Sequence, residues 1–100
     1  MEEILLRLAA AGIRILPLAE LTQHVVFERD GFIALVERRD NGFGQVGSAG
    51  LLVQEGFAAL LQRDGQNWFV ARGFEREATE AEAAALRRFS QDLRRAISGD

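Results

Sequence analysis

The sequence predicts one small α+β domain: a four- to five-stranded antiparallel sheet built from two hairpins, with a short N-terminal helix and a longer C-terminal helix packed on it. Three observations predict it. Asp30-Gly31 and Asp64-Gly65 each stand between runs rich in apolar and aromatic residues, the strongest short-range hairpin signal because both turn positions take positive φ. The segment from Glu80 to Ser98 carries one apolar stripe at helical spacing. The chain has 100 residues, 48% apolar and 27% charged, enough for one modest core and far from the composition of a disordered protein.

Taken in order, Glu2 to Ala11 reads as a short helix. Ile4, Leu5, Leu8 and Ala9 recur at i, i+1, i+4 and i+5, acids stand at the positive N-terminal end, and Gly12 is a natural stop. Ile13 to Leu16 is a brief extended stretch ended by Pro17, and Leu18 to Thr22 fit one helical turn. HVVFER and FIALVERR around Asp30-Gly31 predict strands at about His24 to Arg29 and Phe32 to Arg39. GFAALLQR and QNWFVARG repeat that grammar around Asp64-Gly65, giving strands near Phe57 to Arg63 and Asn67 to Gly73. Gly50 to Gln54 is a fifth candidate. Thr79 and Glu82 then form a capping box, and Leu86, Phe89, Leu93 and Ile97 make the stripe of a helix over about Glu80 to Ser98. Arg94 and Arg95 sit near its negative end.

Counting outward from the turns sorts the hairpin residues onto two faces. The first hairpin puts Val25, Phe27, Phe32, Ala34 and Val36 on one face and Val26, Ile33 and Leu35 on the other. The second puts Ala58, Leu60, Phe69 and Ala71 on one face and Ala59, Leu61, Trp68 and Val70 on the other. Both faces are apolar, whereas a sheet with one solvated face alternates apolar and polar. Two helices either cover one face each or lie together and leave apolar sheet exposed, and exposed patches of that kind mark interfaces or grooves.

The stretch NGFGQVGSAG places Gly42, Gly44 and Gly47 at the spacing G-x-G-x-x-G, with Gly50 following. A dinucleotide fold would need a strand running straight into the first glycine and a helix starting at the last. Polar residues 37–41 intervene before Gly42, and the six residues 51–56 are too few for a crossover helix of roughly ten or more. A phosphate-binding Walker loop needs Gly-Lys-Ser/Thr, and the sequence contains no lysine. The glycines are therefore expected to form a flexible or bulged connection between the hairpins. The functional alternative is an anion or small-ligand loop at residues 42–50 using backbone amides of Gly42, Gly44, Gly47 and Ser48, with Arg38 and Arg39 at its base and Trp68 as a stacking surface.

Other chemistry is sparse. No cysteine is present, which removes disulfides, thiolate nucleophiles and sulfur ligands. His24 is the only histidine and is expected opposite Glu37 in the first hairpin, a pair seen more often as structure than as an acid-base site. Ser48 in QVGSAG only half-resembles the hydrolase elbow. Glu75, Glu77, Glu80 and Glu82 cluster at the start of the last helix, where capping and dipole explain the last two. A net charge of −3, with arginines interspersed among glutamates, gives no footprint for nucleic acid, and no apolar run is long enough for a membrane span. The acidic opening Met1-Glu2-Glu3 is unlike a secretory signal, so a cytoplasmic location is expected.

The order helix, hairpin, connection, hairpin, helix, with phrases such as VVFERDGFIALVE, is similar to the small roadblock/longin-like and profilin-like interaction domains. The middle helix of the roadblock type has no room between Gly42 and Gly56, and no residue is carried over. The leading expectation is a non-enzymatic cytoplasmic interaction or regulatory module, homodimeric through sheet or helix surface, with no cofactor and no metal. Alternatives are the small-molecule or anion-binding protein already described and, third, an enzyme using His24 and Glu37.

Overall fold

The computed structural model describes residues 2–16, 23–40, 42–53 and 56–99. In chain order the elements are α1 (Glu2–Ala10), β1 (Arg14–Leu16), β2 (His24–Arg29), β3 (Phe32–Arg39), β4 (Gly42–Val53), β5 (Gly56–Arg63), β6 (Gln66–Ala71), β7 (Phe74–Glu77) and α2 (Glu80–Ser98). The strands form one 7-stranded antiparallel sheet in consecutive order. The α+β class and both helices stand as expected. The strand count of four to five is too low.

Three segments account for the difference. Arg14–Leu16 pairs with β2 as an edge strand, Phe74–Glu77 pairs with β6 as the opposite edge, and the glycine-rich stretch itself is strand. The helical turn expected over Leu18 to Thr22 lies outside the described residues.

Local chemistry explains the elements that were legible. Asp30 and Gly31 have φ of 55° and 88°, and Asp64 and Gly65 have 53° and 78°, so both turns take positive φ twice and reverse the chain without splaying the strands. The registers follow: Arg29 pairs with Phe32 and His24 with Glu37, while Arg63 pairs with Gln66 and Ala59 with Val70. Gly12 closes α1 at φ 74°. In α2 the Thr79 hydroxyl accepts from the Glu82 amide at 3.0 Å, and the Glu82 carboxylate accepts from the Thr79 amide at 2.9 Å. The capping box is complete, and Gly99 in the left-handed region ends the helix.

Both helices lie on the same face of the sheet. Leu8 of α1 and Leu86, Phe89, Leu93 and Ala96 of α2 join one core with Val25, Phe27, Phe32, Ala34, Val36, Ala58 and Phe69. Phe27, Phe69, Phe89, Leu93 and Val36 are fully buried. Arg29 fastens the layers, donating from one guanidinium nitrogen to the Ala11 carbonyl and to Asp92 of α2, both at 2.9 Å, above the Phe89 ring. Arg7 of α1 donates to the Ala96 carbonyl of α2 at 2.7 Å.

Candidate functional site

Once both helices share a face, pairing parity fixes what the other face presents. It carries Val26, Ile33 and Leu35 of the first hairpin, Leu52 of β4, and Phe57, Ala59, Leu61, Trp68 and Val70 of the second. No helix among the described residues covers it. Val26 and Ile33 are buried, at 2% and 5% exposure, whereas Leu52 and Leu61 stand 43% and 50% exposed. Phe57, Ala59, Trp68 and Val70 are half-buried around them. The open part of this face is thus the β4–β5–β6 side.

Apart from Glu77, opposite Trp68 in the register, its acidic and basic side chains come in pairs. Arg14 meets Glu28 at 2.7 Å, Arg39 meets Glu37, and Arg63 meets Glu75. The Arg14 hydrogen bond lowers the Glu28 carboxyl below its ordinary range, and the same contact raises Arg14. Arg63 also stacks over Trp68 at 5.2 Å from the ring centroid. The rim is close to electrically neutral around an apolar centre.

The glycine-rich stretch crosses this sheet as β4 rather than looping out of it. Between the pairs Val36↔Val46 and Arg38↔Phe43 lie one residue of β3, Glu37, and two of β4, Gly44 and Gln45. Between Ala34↔Ala49 and Val36↔Val46 lie Leu35 on one side and Gly47 and Ser48 on the other. Two β-bulges therefore follow each other, and each opens on a glycine. The three-residue spacing of Gly44 and Gly47 is the spacing of these bulges. Regular pairing to β5 begins only at Gly50.

Close approach explains why the side chains are missing. A Cβ on Gly44 would overlap the Arg39 and Glu37 side chains, one on Gly47 would lie 3.1 Å from the Leu35 carbonyl oxygen, and one on Gly50 would overlap the Ala58 carbonyl and the Phe57 ring. Phe57 lies across bare backbone at Gly50, an aromatic cover for a strand glycine.

The remaining sequence candidates are scattered. Arg38 pairs with Phe43 on the helix-covered side, whereas Arg39 points to the open side and is tied to Glu37. Arg39, Asp40, Gly42 and Phe43 line a shallow open hollow. Ser48 is exposed in the second bulge, and Trp68 lies in β6 under Arg63. His24 does face Glu37, at an exposed end of the hairpin. The acidic cluster disperses: Glu75 goes to Arg63, Glu82 to Arg76 and the helix cap.

Leu52 and Phe57 are the open-face residues that the two-hairpin pattern did not bring forward. Their placement follows from Leu51↔Ala58 and Leu52↔Phe57 pairing, which needs β4 recognised as a strand of the same sheet. No helix among the described residues is long and apolar enough to cross a membrane. No protein-family model, curated protein or solved structure matches this chain.

Proposed function

We propose that this protein is a non-enzymatic interaction module that pairs with a second copy of itself through the open face of its sheet. The observation that carries this reading is the placement of both helices on one face, which leaves Leu52, Phe57, Ala59, Leu61, Trp68 and Val70 without a covering layer among the described residues. Burying such a face is favoured at roughly 25 cal/mol per Å² of apolar surface removed from water. Two sheets meeting face to face form an apolar layer about 10 Å thick. A second copy suits the surface because Arg14, Glu28, Glu37, Arg39, Arg63 and Glu75 are neutralised within each chain, so like faces meet without strong repulsion despite the net charge of −3.

Native mass spectrometry of the freshly purified protein at low micromolar concentration tests the reading. The expected species is a dimer with no additional mass, and Leu52→Arg/Leu61→Arg is expected to yield a folded monomer. A wild-type monomer overturns the reading. If that monomer carries a small molecule, the open face or the hollow at Arg39 and Gly42 is its pocket.

A further inference from the structure

We propose that the outward face of α2 is a docking surface for an acidic helix of a partner protein. The exposed residues of α2 from position 84 onward are Ala84, Arg87, Arg88, Gln91, Arg94, Arg95 and Ser98. At 100° per residue, Ala84, Gln91 and Ser98 fall along one line. Arg87 and Arg94 form a row on one side of it, and Arg88 and Arg95 form a row on the other. Each row repeats after seven residues, about 10 Å along the axis. An uncharged lane of Ala84, Gln91 and Ser98 flanked by two rows of charge at heptad spacing matches the flanking-charge arrangement of helices that lie side by side.

Among the described residues no ion pair compensates the charge on this face. Beyond Glu82 the one carboxylate of α2 is Asp92, which turns inward to Arg29. None of the four arginines is in an ion pair with the described residues; Arg94 donates to the neighbouring Ser90 hydroxyl at 3.4 Å. Dipole compensation accounts for Arg94 and Arg95 in the last turns but not for Arg87 and Arg88 in the middle of the helix. Guanidinium groups take carboxylates bidentately, so the complementary surface is a row of glutamates or aspartates.

Extent and surroundings select a helix over other polyanions. The basic stretch from Arg87 to Arg95 spans only about 12 Å, and exposed Glu80 stands at its N-terminal end, where it repels a long phosphate backbone. The exposed face of α2 has no apolar side chain larger than alanine to enter a bilayer. The surface is on the opposite side of the sheet from the open face and stands whether or not that face pairs. In a face-to-face dimer, two such helices point outward.

The test is fluorescence anisotropy with a labelled helical peptide bearing glutamate doublets at heptad spacing, beside a peptide of the same composition with that spacing scrambled. The spaced peptide is expected to bind more tightly than the scrambled one, and to weaken as salt is raised. Arg87→Gln/Arg94→Gln and Arg88→Gln/Arg95→Gln are each expected to lose about tenfold in affinity with the melting temperature unchanged, because all four side chains are exposed. Arg72→Gln, elsewhere on the surface, is expected to bind as wild type does. The proposal is overturned by absent binding, by equal affinity for the scrambled peptide, by an equal loss in the Arg72 variant, or by tighter binding of a DNA duplex or of anionic phosphatidylserine vesicles.

Discussion

The two faces of the sheet are built with the same device and set in different surroundings. On the covered face Arg76 lies 5.2 Å over the Phe69 ring and makes a two-point contact with Glu82, at 3.1 and 2.8 Å. On the open face Arg63 lies 5.2 Å over Trp68 and pairs with Glu75. In the first case the aromatic ring is fully buried and the carboxylate also caps α2. In the second the ring is half-buried and both charged partners are about half exposed. The same residue chemistry therefore completes a core on one side and borders an unfilled apolar surface on the other.

The largest effect that sharpens this comparison is truncation at the centre of each face. Phe69→Ala is expected to cost about 3–5 kcal/mol through lost burial and a residual cavity, read as a fall in the denaturation midpoint. Leu61→Ala is expected to cost less than about 1 kcal/mol in the monomer, since half of that side chain is already in water. Equal losses would show that the two faces are equally covered.

The glycines of β4 give the next effect. Gly50→Ala is expected to destabilise by about 1–3 kcal/mol, because the Ala58 carbonyl and the Phe57 ring both stand where the methyl group goes. Gly44→Ala meets only the ends of the Arg39 and Glu37 side chains, which can swing aside, and is expected to cost under about 1 kcal/mol. Thermal melts of the two variants decide between them, and the reverse order would sink the close-approach account of this strand.

Smaller differences concern the cap and its charge. Thr79→Ala is expected to cost about 1 kcal/mol through loss of the cap to the Glu82 amide. Glu82 is held down to about 2, first by the Arg76 hydrogen bond and then by the Thr79 amide. Because its folded value lies below its ordinary 4.5, its contribution is fully present above pH 4.5 and is lost as pH falls toward about 2. Glu82→Gln is expected to flatten that part of the stability–pH curve. Urea denaturation repeated across that pH range measures it.

Much of this fold is legible in short stretches. Asp-Gly turns specified two hairpins and, by counting, the face of every residue in them; Thr79 and Glu82 specified the start of α2. β1 was missed as a sheet member because three residues ending at Pro17 carry no alternation, and β7 because Phe-Glu-Arg-Glu resembles a helix approach more than an edge strand. The glycines of β4 misled for a physical reason. Glycine depresses strand propensity wherever it occurs, and the gain that compensates here comes from Phe57, Leu35 and the Glu37–Arg39 pair, contacts made by other strands.

By itself, then, the sequence determined the local periodicities, the turns, the caps and the apolar character of both sheet faces, because each of these depends on residues a few positions apart. Only the tertiary structure decided that β4 joins the two hairpins into one meander, that its glycines are bulges under close neighbours, and that α1 and α2 lie on the same side. Those outcomes depend on contacts between distant segments, such as Arg29 with Ala11 and Asp92 and Arg7 with Ala96. No periodicity within a single element encodes which face a helix will cover.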